Sequence, residues 1–222
     1  AMHVGPNLNL ISATNSKTTD MESGGNGVAV SVKLLSKHFV NNDGKINKAV
    51  DGLSVDFYEN QITSFLGHNG AGKSTTISLL TGLFGPDGGD AMIQGLSIVN
   101  DMDKVRALLG VCPQENVLWD LLTVKDHMKL FSRIRGTPDS QAKAEIIELL
   151  KDIGLTDKKD TWAKDLSGGQ KRKLQTACAL IGDPGIIFLD EPTAGMDSSA
   201  RRDMWDLLLK KKAGKCIILC TH

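Results

Sequence analysis

Gly67-His68-Asn69-Gly70-Ala71-Gly72-Lys73-Ser74 matches the phosphate-binding pattern G-x-x-x-x-G-K-[ST] at every required position. Glycines let the backbone bend so that successive N–H groups point inward at an anion. Lys73 brings a cation to β- and γ-phosphates, and the Ser74 hydroxyl is placed for Mg²⁺. The flanks agree. Ile62-Thr63-Ser64-Phe65-Leu66 reads as a short apolar strand, and Thr75-Thr76-Ile77-Ser78-Leu79-Leu80 opens a helix. Strand, loop and helix is the context this pattern needs, because the helix N-terminus faces the anion. The stretch therefore predicts nucleotide binding by an α/β protein.

The rest of the chain narrows the class. It has 222 residues, 41% hydrophobic and 23% charged, with a formal net charge of +0. That length builds one substantial core or two small ones. A nucleic-acid binder usually carries a basic excess, and none is present. The basic runs Lys171-Arg172-Lys173 and Lys210-Lys211-Lys212 are short. The second falls near a helix end, where cations suit the dipole, and reads as solvated. No apolar run approaches the roughly 20 residues of a membrane span, and no secretory signal is visible. Cys112, Cys178, Cys216 and Cys220 form no paired metal-ligand pattern. They read as buried free thiols in a reducing compartment.

Along the chain, residues 1–26 are polar and aperiodic and read as a disordered leader or linker. Strand patterns follow from Val28, around Leu53–Tyr58 and around Ala91–Ile98, with a short helix near Met102–Leu109 and a strand ending at Gln114. Residues 115–166 change to a helical insertion. Thr123 and Asp126 form a capping-box pattern there, and Ser140–Ile153 is amphipathic with Gly154 as its stop. Then alternation returns: helix at Ser167–Ile181, a buried apolar strand at Ile186–Leu189, helix at Ser198–Lys212, strand at Cys216–Cys220.

Two further sites carry chemistry. Asp190-Glu191 follows the apolar strand directly, and the carboxyl end of a parallel strand opens onto the ligand crevice of an α/β sheet. Asp190 suits Mg²⁺ shared with Ser74, and Glu191 suits polarising a water for attack on a γ-phosphate. Leu166-Ser167-Gly168-Gly169-Gln170 is a capping box, Ser167 with Gln170. Capping does not require Gly168-Gly169, which bare the N–H groups of a helix N-terminus as a second anion site. Two such sites far apart in sequence point to nucleotide held between two domains.

These residues, with Gln114, Asp197 and His222, stand in the order seen in ATP-binding cassette transporters, and residues 27–222 resemble that family's nucleotide-binding domain. The stretches Tyr58–Asn69, Val111–Gln114 and Asp190–Asp197 resemble the A subfamily, the lipid exporters, and the first of its two cassettes is the more similar. The resemblance implies a P-loop NTPase fold: a mostly parallel central sheet, an antiparallel β subdomain and the helical insertion. It implies ATP and Mg²⁺ as ligands, contacted by Gly67, His68, Asn69, Gly70, Ala71, Gly72, Lys73, Ser74 and Thr75 of the Walker A loop. Phe39 would stack on adenine, the alternative being a core phenylalanine. Asp190 of Walker B, Ser74 and Gln114 would hold the metal; Glu191, His222, Gln114 and Lys73 would carry catalysis. Ser167, Gly168, Gly169 and Gln170 would bind ATP held by a facing domain, with Asp197 at the seam. The implied partners are a second cassette arranged head to tail, transmembrane domains on whose cytoplasmic side this segment works, and a lipid handled by them. The family's pattern continues beyond His222, so the resemblance also implies a truncated domain with an unpaired sheet edge at the final strand. Two rivals stay open: a soluble cassette ATPase acting on ribosomes or DNA, and a nucleotide sensor without productive hydrolysis.

Overall fold

The computed structural model describes residues 9–11, 27–68 and 70–221, so Asn69, His222 and most of the leader lie outside the described residues. Two sheets organise the chain. The first runs β1-β4-β9-β8-β7: Asn9–Ile11 (β1), Gln61–Leu66 (β4), Leu109–Cys112 (β7), Ile186–Asp190 (β8) and Cys216–Thr221 (β9). Pairing is parallel from β4 through β9 and β8 to β7, and only β1 runs antiparallel, on β4. The second is antiparallel, in the order β3-β2-β5-β6: Val28–Val40 (β2), Ile46–Tyr58 (β3), Gly88–Ile93 (β5) and Leu96–Ser97 (β6). The parallel sheet, the antiparallel unit and the helical insertion agree with the P-loop architecture.

The strand period of two explains why β8 and β9 read as continuous apolar runs. Ile187, Leu189, Ile217 and Leu219 point into one core, and Ile186, Phe188, Cys216, Ile218 and Cys220 into another. The first core is completed by helices: Val124–Ile134 (α3), Asp139–Asp152 (α4), Gly168–Leu180 (α5) and Ser198–Lys211 (α6). The second is completed by Lys73–Leu80 (α1), by Val105 of Met102–Leu108 (α2) and by the antiparallel sheet. The parallel sheet is thus covered on both faces, and its carboxyl ends carry the phosphate loop, Gln114 and Asp190-Glu191 together.

Some expectations change. Residues 9–11 of the supposed leader form a strand, paired Asn9 with Leu66 and Ile11 with Ser64. The strand signal at Ala91–Ile98 is two strands, β5 and β6, turning at Gln94-Gly95 where both φ are positive. The final strand is not an open edge: β9 lies between β4 and β8, hydrogen-bonded on both sides. The basic run closing α6 is not simply solvated. Lys210 reaches Asp152 at 2.7 Å and Lys211 reaches Glu148 at 2.8 Å, tying α6 to α4. All four cysteines are buried and free, and burial pushes the thiols of Cys216 and Cys220 up to about 12.

The insertion is fastened to the loop after Gln114 through His127 of α3, which is fully buried. The Trp119 N–H donates to His127 Nε2 at 2.9 Å, so Nδ1 carries the proton and donates to the Thr123 carbonyl at 2.9 Å. Burial holds this imidazole below its ordinary value of 6.5. The native state keeps the ring neutral while the unfolded chain protonates near 6.5. Stability from this site is therefore complete above that value and declines as pH drops below it. His127→Leu strands the Trp119 N–H. It should cost about 1–3 kcal/mol and flatten the fall in melting temperature between pH 7 and pH 5 relative to the parent, as read by thermal denaturation across that range.

Candidate functional site

The phosphate loop is shaped by two left-handed glycines, Gly70 at φ 82 and Gly72 at φ 89. Gly72 is required twice. Its backbone is disfavoured for any other residue, and an added Cβ would lie 2.2 Å from the Ala49 carbonyl oxygen of β3. α1 starts at the next residue, with Thr76 N–H and Thr76 Oγ1 both donating to the Gly72 carbonyl. Lys73, only 7% exposed, folds back over the loop, and its Nζ donates to the Gly67 carbonyl at 2.5 Å and to that of His68 at 3.2 Å.

The loop and the acidic pair meet across 116 residues of sequence: Ser74 Oγ donates to Asp190 Oδ2 at 3.0 Å. Burial raises the Asp190 carboxyl above its ordinary range, with the Ser74 hydrogen bond opposing. A hydroxyl beside a desolvated carboxylate is a hard-oxygen donor pair, and a divalent cation there would offset the burial of negative charge. The residues present therefore fit Mg²⁺ bound by few protein oxygens, the arrangement usual beside phosphates. Glu191 has a left-handed backbone, φ 49, and its N–H donates to the Cys220 carbonyl at 2.8 Å. A non-glycine residue held so costs of order 1–3 kcal/mol, and here the turn ends β8 sharply and redirects the chain at the acid.

A cavity of about 300 Å³ is lined by Phe39, Asn47, Ala49, Gly70–Thr75, Gln114, Asp190 and Glu191. Phe39 is half-buried at this rim rather than in either core. Its ring stands edge-on to Phe84, with centroids 5.8 Å apart. Among the predicted residues that are described, Gly67, His68, Ser167–Gln170 and Asp197 do not line the cavity. Ser167 caps α5: its Oγ accepts from the Gln170 N–H at 3.3 Å, and Gln170 Oε1 accepts from the Ser167 N–H at 3.0 Å. Asp197 caps α6, accepting from the Ala200 N–H at 2.8 Å, a bond that holds its carboxyl below the usual range. Gly168 and Gly169 have negative φ and open space where a Cβ would be. Among the described residues nothing requires glycine at either position. His68 is exposed beside the loop; Asn69 and His222 lie outside the described residues.

Sequence reasoning missed Arg172. It read as part of a basic run, yet it is only 6% exposed. Its guanidinium donates to the carbonyls of Pro113 at 2.6 Å and Gln114 at 3.1 Å, to that of Glu191 at 2.8 Å, and to that of Asp190. One side chain of α5 thus ties the Gln114 loop to the end of β8. The available signal was Arg172, Gln175 and Thr176 at i, i+3 and i+4, a polar stripe on one helix face. Gln175 extends the link, donating to the Glu115 carbonyl at 2.8 Å.

The ABC transporter family profile matches residues 50–194. Among curated relatives, the retinal-specific phospholipid-transporting ATPase ABCA4 of Homo sapiens is 50% identical over 174 residues, 78% of this chain and 8% of that protein. ATP-binding cassette sub-family A member 7 of Rattus norvegicus is 47% identical over 193 residues, 87% of this chain and 9% of that protein. The chain thus spans less than a tenth of the length of either. Among solved structures, a dimeric ATP-binding cassette in a post-hydrolysis state bound to ADP and Pi superposes with a TM-score of 0.79 at 26% identity, covering 87% of this chain and 88% of that one.

The Arg172 hub yields a test. Arg172→Met would orphan several buried carbonyls together. It should lower stability by about 1–3 kcal/mol, measured as a reduced urea midpoint with an unchanged slope.

Proposed function

Because this chain belongs to the ABC transporter family, we propose that it is the ATP-binding and ATP-hydrolysing motor domain of an A-subfamily transporter that moves lipid across a membrane. The observation that carries the reading is the meeting of Ser74 and Asp190, 3.0 Å apart, at a cavity that Lys73, Gln114 and Glu191 also line.

In this reading the triphosphate lies along the Gly70–Thr75 amides at the α1 N-terminus, where the helix dipole favours negative charge. Lys73 exchanges its carbonyl partners for β- and γ-phosphate oxygens. Phe39, at the cavity rim, stacks on the base. Ser74, Asp190 and Gln114 hold Mg²⁺, which when bound neutralises charge on the transferring phosphoryl group. Glu191 accepts the proton of the attacking water, and His222 orients that water against the γ-phosphate. Arg172 keeps the backbones of Gln114 and Glu191 in fixed relation, so the two act as one unit.

A second cassette completes the site head to tail. Support comes from Gly168 and Gly169, for which the described residues give neither a conformational nor a packing reason. A facing triphosphate that must approach the α5 amides supplies one. Asp197 stands near that seam. The solved relative noted above is dimeric, and the same arrangement is proposed here.

Force passes through the insertion. Directly after Gln114 the chain exposes Val117, Trp119 at 52% and Leu121, with Trp162 nearby in the Thr123–Trp162 bridge. An apolar patch of this kind marks a docking surface, and its occupant here is a transmembrane domain of the same transporter. Among the described residues no helix is long and apolar enough to cross a membrane. The names of the A-subfamily relatives support phospholipid as the cargo class.

Two substitutions test the chemistry in the intact protein. Glu191→Gln should bind ATP as the parent does while phosphate release falls at least about a hundredfold; normal turnover would reject its role as base. Lys73→Ala should weaken ATP binding about ten- to a hundredfold, the value of a charge-assisted contact, as measured by nucleotide titration.

A further inference from the structure

A second cavity, of about 480 Å³, opens between α3 and α4 and shares no lining residue with the phosphate-loop cavity. Its floor is apolar, formed by Ile146 and Leu150 of the core and by Ile147, which is 61% exposed. Its rim is basic: Lys125, Lys129, Arg133, Lys143 and Lys159. Among the described residues Asp139 is the sole acid of the lining, 4.0 Å from Arg133, and the four lysines have no ion-pair partner. Like charges gathered over a low-dielectric floor repel one another and raise a positive potential at the mouth.

A separate feature belongs to the same wall. Ser132 of α3 is among the lining residues and fully buried, and among the described residues its Oγ has no hydrogen-bond partner. Buried hydroxyls are almost always bonded, so a small shift of α3 that bares this one to a polar head in the cavity would complete it.

We propose that the α3–α4 cavity binds a single-chain amphipathic anion, an acyl or alkyl tail bearing a carboxylate or phosphate head. The tail lies on Ile146, Ile147 and Leu150; the head sits among the lysines and within reach of Ser132. The volume falls in the range of small-molecule sites, about 300–1,000 Å³. Among the described residues no aromatic ring lines the cavity, so a nucleotide base would find no stacking partner there. An acidic amphipathic helix would need a long groove read by anchors at i, i+3, i+4 and i+7, whereas the apolar floor here is only Ile146, Ile147 and Leu150, a single turn of α4. The inference rests on the packing and charge of the insertion and is independent of the ATPase reading.

The test uses the intact protein and three photoreactive probes with the same diazirine-bearing chain: a fatty acid, an alkyl phosphate and the uncharged alcohol. After irradiation, labelled peptides are mapped by mass spectrometry. Saturable labelling within residues 125–150 by both anions, at least tenfold above the alcohol, is the result expected. Lys129→Glu with Lys143→Glu, both at exposed positions, should lower anion labelling at least tenfold. Ile147→Asp, also exposed, should lower it at least fivefold, and in both variants nucleotide binding should be retained. Equal labelling by the alcohol, insensitivity to charge reversal, or labelling confined to other segments overturns the proposal. Displacement of both anionic probes by inorganic phosphate alone, or by an acidic amphipathic peptide but not by unlabelled fatty acid, overturns it as well.

Discussion

The site depends on one buried cation. Arg172 reaches out of α5 and donates to backbone carbonyls of Pro113, Gln114, Asp190 and Glu191. These carbonyls terminate β7 and β8, where the ladder ends and strand bonds no longer serve them. A buried carbonyl without a donor is costly. A planar guanidinium with five N–H groups can satisfy four carbonyls on two chain segments at once, more than the three donors of a lysine allow. The consequence reaches past stability. The segments fastened together are the ones that carry Gln114 and Glu191, and the fastener belongs to the helix whose tip is Ser167-Gly168-Gly169. A displacement of that helix would therefore act on the backbones of both Gln114 and Glu191.

Around this hub the sheet acts as a partition. Alternation along β8 and β9 sends Ile187, Leu189, Ile217 and Leu219 to the helical side and Ile186, Phe188 and Ile218 to the side of α1 and the antiparallel strands. The α1 side holds the loop by close approach, with the Ala49 carbonyl pressed where only glycine at 72 can stand. The insertion is held at its margins by other ties, among them His127 to Trp119 and the Lys210 and Lys211 pairs with α4. Exposed ion pairs of this kind are weak individually. The basic cavity between α3 and α4 lies in that same helical half.

Glycines of two kinds separate folding from function. Gly72 is dictated from within, by positive φ and by a neighbouring carbonyl. Gly168 and Gly169 are not: their φ is ordinary and the space above them is open. For glycines that no described residue requires, the proposed approach of a facing triphosphate to the α5 N-terminus would supply a reason.

The sequence by itself determined the ligand class, the alternation of elements and the acid pair, because each is written in local signals: a loop pattern of eight residues, periods of 2 and 3.6, a capping box at Ser167–Gln170 that is present as read. It also located the polar residues that converge, Lys73, Ser74, Gln114, Asp190 and Glu191, without showing that they do. Three features were out of its reach. The place of β9 between β4 and β8 is a property of sheet order, which no local pattern encodes. The left-handed turn at Glu191 is imposed by neighbours against the residue's own preference. The burial of Arg172 inside a Lys-Arg-Lys run depended on which carbonyls the fold would leave without donors. That is a long-range accounting of hydrogen bonds, and only the tertiary structure could settle it.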